Sequence, residues 1–544
     1  MQTLTGTILD PVNRRSFPGE ITFHNGLIVS VREIDPDDAA DRIIAPGFVD
    51  SHIHIESSML IPSEFARLAV KHGTVATVSD PHEIANVCGM DGVTYMIENG
   101  KKVPLKFYFG APSCVPATPF ETAGAELTPS DVETLLDRDD IQYLAEMMNW
   151  PGVLGKDPDV VEKIEAALSR GKPVDGHAPG LTGEKAAEYA SAGITTDHEC
   201  VSLQEARDKI AAGMTIAIRE GSAAKNYGAL HPLLDESPES VMFCSDDKHP
   251  DDLILGHINT LAARSLSHGY DRFDILRACS VQAVNHYDLD VGLLQPGDKA
   301  DFIVLDDIDT MSVRETWIDG KCVYRDGKVL FDAVEAETIN HFVARQVDLS
   351  DLKKTAGQDN TIDMPVIVAR DGELITEKSM ETLQVDDGSV QPDPERDILK
   401  VAVVSRYDNS PPAIGFIKNF GIKDGAIASS VAHDSHNIIV VGSSDEHIAR
   451  VINQIMEAKG GVAVSDREGS AILELPIGGI MTDENGKKTA DTYKELTQRS
   501  IAMGSNLNSP FMTISFMALL VIPKLKMSDK GLFDAENFEF VTHD

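Results

Sequence analysis

The sequence predicts an α/β protein: a (β/α)8 TIM barrel with a split flanking β-sandwich domain and an additional C-terminal α+β domain. Three observations point there. Between residues 46 and 290, apolar strand-like runs alternate with helical segments, and eight runs end near His54, Asp80, Gly110, Glu146, His177, His198, Glu220 and Asp246. Short strands with turn signals flank this region on both sides, and a fresh α+β pattern begins at Leu399. A chain of 544 residues also exceeds the size at which one core stops growing, so two or three domains are expected.

Residues 1–45 alternate as strands at Thr5–Ile8, Ile21–Phe23 and Leu27–Val31, with Pro18-Gly19 and the hairpin pair Asn25-Gly26 as turns. A similar pattern returns after residue 291, through Ala300–Leu305 and Trp317–Lys321, so 1–45 plus 291–345 are expected to form one composite β domain around a barrel of residues 46–290. Within the barrel, helices are expected at Val160–Leu168 and Gly183–Ala192, where Gly193 suits a C-cap. Residues 346–398 are rich in aspartate and read as a loosely packed linker. In the C-terminal domain, 399–544, strands are expected at Val401–Val404, Ile438–Val441 and Ile472–Leu475, and a helix at Ser444–Lys459. The apolar run Phe511–Pro523 is too short to cross a bilayer and reads as a core element.

The chemistry sits where barrel enzymes keep it, at the C-terminal ends of strands. The first strand, Phe48–Ile53, leads into His52-Ile53-His54; side chains on a strand alternate, so the two imidazoles share a face. Glu146 closes an apolar run, where an unpaired carboxylate is costly to bury unless a metal or other cation stands beside it. His177 ends the run Pro173–Gly180, His198 the run Gly193–Glu199, and Asp246 the run Val241–Asp247. Four histidines and two carboxylates exceed the needs of one tetrahedral zinc. They fit two metals about 3.5–4 Å apart, bridged by Glu146 and a hydroxide, with bound water acidified toward ~7. Asp246 is the candidate base and proton shuttle.

Composition narrows the function classes. The 87 acidic residues against 48 basic ones leave a net charge of −39, which argues against nucleic acid or an anionic membrane as partner and favours a neutral or cationic small molecule. The six cysteines show no CxxC pair and suit a reduced cytoplasm, and Met1 to Arg15 contains no apolar secretory segment. No phosphate-binding G-x-x-x-x-G-K-[ST] loop, dinucleotide G-x-G-x-x-G, G-x-S-x-G elbow or PCxxC of the nucleic-acid deaminases is present.

The order HxH, strand-four carboxylate, His, His, Asp, within a barrel flanked by a split β domain, resembles the amidohydrolase superfamily. More narrowly, the stretches Gly47–Ser58, Asp80–Val87, Gly176–Gly180, Thr196–Glu199 and Ser245–Leu253 resemble bacterial adenine deaminases, as do His433–Asn437 and Asp529–Asp534 near the C-terminus. The resemblance covers nearly the whole chain. It implies hydrolysis of adenine to hypoxanthine and ammonia by attack of the bridging hydroxide on C6. It implies a two-metal site of His52, His54, Glu146, His177, His198 and Asp246 holding manganese, iron or zinc, and a homo-oligomer. A lysine at position 146 would suggest a hydrolase of cyclic amides; Glu146 departs from that pattern. Another purine, a pterin or a cyclic amide remains the alternative substrate. His82, Glu83 and Arg219, at other strand ends, are expected to contact the substrate, and His433 and His436 are spaced for a metal or for a structural or lid role.

Overall fold

The computed structural model describes residues 1–357 and 359–541. The chain opens with β1 (Gln2–Asp10), β2 (Arg15–His24), β3 (Leu27–Glu33) and β4 (Ile43–Pro46). The β2–β3 turn is Asn25-Gly26, with φ of 49° and 82°, the left-handed pair that a tight two-residue hairpin requires.

Eight parallel strands follow: β5 (Phe48–Ile53), β6 (Thr74–Ser79), β7 (Lys106–Ala111), β8 (Ile141–Met147), β9 (Val174–Gly176), β10 (Thr196–Asp197), β11 (Thr215–Arg219) and β12 (Val241–Cys244). β5 to β9 form one parallel sheet and β10 to β12 another. Single parallel bridges, Val174 with Ile194 and Ile53 with Asp246, join the two sheets at both seams and close the barrel. Every residue of β5 and β6 is buried, as expected for parallel strands covered on both faces. The helix Pro158–Ser169 turns Val160, Ile164 and Ala167 inward at spacings of four and three. The helix Gly183–Ser191 is followed by Gly193 at φ 100°, the left-handed exit that glycine adopts without strain.

β9 and β10 are shorter than the runs Pro173–Gly180 and Gly193–Glu199 suggest. Beyond Gly176, Pro179 has no N–H to give a ladder and Gly180 turns the chain at φ 76°. Beyond Asp197, the carboxylate of Asp197 itself takes the backbone N–H groups of Ala178 and Glu199, both at 2.9 Å, and replaces strand pairing.

After the barrel come β13 (Phe302–Asp307), β14 (Ser312–Ile318), β15 (Lys321–Arg325) and β16 (Lys328–Val329). The first and last pieces share one sheet of order β16-β15-β14-β13-β4-β1-β2-β3. Its two faces read off the period of two. Ile8, Ile44, Phe302 and Val304 pack with Phe23 and Trp317 on one side. Leu9, Ala45, Ile303 and Leu305 pack against the barrel on the other.

The segment 346–398, expected as a loose linker, is instead structured: β17 (Thr361–Val368), β18 (Glu377–Asp386) and β19 (Ser389–Val390) add to the C-terminal sheet. Met364, Val366 and Leu383 bury there against Ile398 and Phe416, while the alternate residues of β18 face solvent and account for the polar composition. The expected boundary at 345 also moves, because Val343 N donates to Arg406 O at 2.7 Å and Asn340 reaches Lys459 O at 2.8 Å, tying these residues to the C-terminal unit.

That unit continues with β20 (Ile398–Val404), β21 (Ala413–Lys418), β22 (Ala426–Ser429), β23 (Ile438–Gly442), β24 (Gly461–Asp466) and β25 (Gly469–Glu474), in a sheet of order β19-β18-β17-β21-β20-β23-β22-β24-β25. A small sheet of β26 (Leu525–Ser528), β27 (Gly531–Asp534) and β28 (Glu539–Phe540) follows. The helix Asp445–Ala458 covers one face of the large sheet through Ala428, Ile438 and Val440. Ile427, Ile439 and Val441, on the other face, join the same core as the barrel residues Val49 and Ile53. The C-terminal unit is thereby seated on the barrel, with the helix Pro510–Phe516 fully buried. Among the described residues, no helix is long and apolar enough to cross a membrane.

Candidate metal centre

His52 and His54 project from the end of β5 to one side, and Ile53 to the apolar core on the other. His54 Nδ1 stands 3.2 Å from the Asp80 carbonyl oxygen and donates to it. Nε2 of His54 therefore faces the barrel mouth, 3.2 Å from His52 Nε2. Beneath them Asp50 locks β5 to the last strand. Its Oδ1 accepts from Ser245 N at 3.0 Å and its Oδ2 lies 2.8 Å from His257 Nε2.

On β8, Ala145 and Met147 enter the apolar core and Glu146 turns inward. One of its oxygens lies 3.3 Å from His54 Nε2; the other lies 2.6 Å from His177 Nδ1 and 3.1 Å from His198 Nε2. The His198 ring stacks on His52, centroids 4.0 Å apart. Burial would raise the Glu146 pKa, but the imidazoles of His177, His198 and His54 reverse this and hold it well below the usual carboxylate range. Burial and the neighbouring His198 push His52 well below the ordinary imidazole value.

Asp246 follows β12 with φ 52°, a left-handed conformation uncommon outside glycine. The seam holds it there: Asp246 N donates to His52 O at 3.0 Å. Its Oδ1 lies 3.2 Å from His54 Nε2 and 3.6 Å from His52 Nε2, and its Oδ2 accepts from Arg219 at 2.6 Å. Burial opposes ionisation of Asp246, and Arg219 and His54 overcome it, leaving the carboxyl well below its ordinary value.

The structure thus brings His52, His54, Glu146, His177, His198 and Asp246 to one end of the barrel. The three residues expected to contact substrate fare differently. Arg219 lines the cavity, and its guanidinium pairs with Glu199, Nη2 to Oε2 at 3.0 Å, and with Asp246, so it orients the acid. His82 lies beside the cluster, Nδ1 at 3.1 Å from Asp80 and 3.5 Å from Glu146. Glu83 is gripped by His433 Nδ1 and His436 Nε2 of the C-terminal unit. Sequence reasoning missed Glu199, 3.6 Å from His198 and 3.7 Å from His177, and Asp80, whose carbonyl fixes the His54 tautomer. Both adjoin strand-end residues already singled out, and that adjacency was the available signal. Of the cavity wall formed by Leu374, His433, Asp434, Phe516, Val521 and Ile522, sequence reasoning singled out only His433, for a metal, structural or lid role.

The donor set fits divalent cations. It consists of imidazole nitrogens and carboxylate oxygens without a thiolate, the pattern shared by zinc, manganese and iron sites. His52 Nε2, His54 Nε2 and Asp246 Oδ1 lie within 3.6 Å of one another, a convergent set of atoms that could hold one cation.

The amidohydrolase family matches residues 43–323, and the adenine deaminase C-terminal domain matches 373–539. An adenine deaminase of Salinibacter ruber is 53% identical over 541 residues, spanning 99% of this chain and 98% of the relative. One of Methanosarcina barkeri is 51% identical over 99% of both chains, and one of Borreliella burgdorferi 48% identical over 98% of both. A barrel carrying four inward histidines and two acids, followed by a matching C-terminal unit, places this chain in the adenine deaminase family of amidohydrolases.

Proposed function

We propose that this chain hydrolyses adenine to hypoxanthine and ammonia, with two divalent ions of manganese, iron or zinc held by His52, His54, Glu146, His177, His198 and Asp246. The observation that carries this reading is the reach of Glu146, whose two oxygens lie within 3.3 Å of imidazoles from three different strand ends. A single carboxylate so placed is able to serve two ligand groups at once. Bound ions supply Lewis acidity that lowers the pKa of a water molecule toward ~7.

Asp246, paired with Arg219, would accept a proton from the attacking water as the water oxygen adds to C6 of the purine. The C6–N bond of the tetrahedral carbon then breaks, and Asp246 returns the proton to the departing amine. One water and one adenine become hypoxanthine and ammonia. Arg219 and Glu199 keep Asp246 aimed throughout.

The net charge of −39 admits a neutral base while opposing nucleic acid and anionic membranes. We place the chain in the cytoplasm, where its six free cysteines stay reduced, and any assembly as a homo-oligomer. Incubating the purified, metal-loaded chain with adenine and following hypoxanthine and ammonia tests the reading. Both products are expected; no turnover with ions confirmed by metal analysis rejects adenine, and a panel of other purines, pterins and cyclic amides then identifies the substrate.

A further inference from the structure

Among the described residues, two buried polar atoms beside the metal cluster have no partner: Nε2 of His433 and Oδ2 of Asp434, on residues only 2% and 3% exposed. Both side chains line the same cavity as His54, Glu146, His177, His198 and Asp246. Leaving such groups unpaired is costly, so they point to a ligand that satisfies them.

The contacts behind them are well defined. Nδ1 of His436 accepts the Ala432 N–H at 3.2 Å, so Nε2 of His436 carries the proton and donates to Glu83. The other oxygen of Glu83 takes Nδ1 of His433. Each Glu83 oxygen thus holds one imidazole of the C-terminal unit, which fixes the His433 ring at the cavity wall. The ring is held on its flat side as well, stacked on Phe516 at 4.8 Å and 15°. Burial lowers the pKa of His433, but Glu83 and Asp247 carry it up to about 9, which makes Nε2 a donor. Asp434 offers an acceptor beside it, and Phe516, Val521 and Ile522 supply an apolar wall for a flat ring.

Resting on the deaminase reading above, we propose that His433 Nε2 and the Asp434 carboxylate hydrogen-bond the ring-nitrogen edge of the bound purine. The C-terminal unit reads the base and the barrel performs the reaction. A donor next to an acceptor complements a heterocycle edge that pairs an N–H with a bare ring nitrogen. Glu83 and His436 are positioning residues for His433. A further cation at this spot is the competing occupant, since His82, Glu83 and Asp434 offer ligand atoms within 4.8 Å of one another. The two N–H groups already directed at Glu83 speak against it.

The test compares wild type with Asp434→Ala and His433→Phe, the latter keeping the stack on Phe516. The binding of adenine, 1-deaza-, 3-deaza- and 7-deazaadenine and 9-methyladenine is measured by competition, with metal content per chain determined for each protein. In the wild type at least one analogue is expected to bind about 10-fold or more weakly than adenine, because it leaves a buried group unpaired. In the matching variant that deficit shrinks to about 2-fold or less at unchanged metal content, a coupling that a merely structural role does not produce. Equal deficits in wild type and both variants overturn the proposal, as does loss of an ion in either variant. Should the variants fail to fold, a wild type that binds every analogue as tightly as adenine overturns it. A wild type that binds adenine without deaminating it refutes the deaminase reading instead, and the coupling still decides the contact.

Discussion

Arg219 and Asp246 form a buried ion pair, Nη1 to Oδ2 at 2.6 Å, with side chains 5% and 4% exposed. With Glu199 on the same guanidinium, this pair aims an acid that also lies 3.2 Å from His54. In so dry a setting the pair is poorly screened, and breaking it leaves an uncompensated charge.

The first prediction concerns that acid. Asp246→Asn keeps the shape and removes the base, so kcat is expected to fall about 10²- to 10⁴-fold with the fold intact by circular dichroism. Steady-state kinetics on metal-loaded protein checks this; unaltered turnover removes Asp246 from the mechanism.

Arg219→Leu acts differently, because it strands Glu199 and Asp246 in the interior. A loss of about 3–5 kcal/mol is expected in urea unfolding, well above that of Asp246→Asn. Equal losses in the two variants contradict the orienting role.

Glu146→Gln keeps volume but surrenders the charge that faces His54, His177 and His198. Metal analysis after gel filtration is expected to find fewer ions per chain than in wild type. Full retention contradicts the shared-ligand role.

Lys526, behind the cavity wall, gives a pH dependence of stability. It is buried on β26, donates to Leu374 O at 2.7 Å and Phe516 O at 2.8 Å, and burial pushes its pKa down to about 7. Below pH 7 both folded and unfolded chains hold the proton, and the folded state bears the full cost of a buried charge. From about pH 7 to the ordinary lysine value near 10.4, the unfolded chain binds more protons, so stability rises with pH. Lys526→Met is expected to flatten this rise between pH 7 and 9 in urea titrations. Parallel profiles for wild type and variant contradict the buried-lysine assignment.

The barrel was legible because its strands carry continuous apolar runs that stop on polar residues. β5 has the bounds read from sequence, Phe48–Ile53. Where side chains took over backbone donors, as at Asp197, sequence periodicity overran the strand. Residues 346–398 misled for a different reason: β18 exposes Lys378, Met380, Thr382, Gln384 and Asp386 on one face and only half-buries Glu377, Ser379 and Glu381 on the other, and a strand with so few apolar residues resembles a linker in composition. The convergence of strand-end histidines follows from barrel geometry and could be anticipated. The wall of His433, Asp434 and Phe516 comes from about three hundred residues further on, and no local pattern announces which cavity it closes.

Anomalous diffraction from crystals of the metal-loaded chain tests the central claim most directly. Two peaks about 3.5–4 Å apart are predicted at the barrel mouth, one beside His52 and His54, the other beside His177 and His198, with Glu146 reaching both. A lone peak, or strong peaks only away from Glu146, would contradict it.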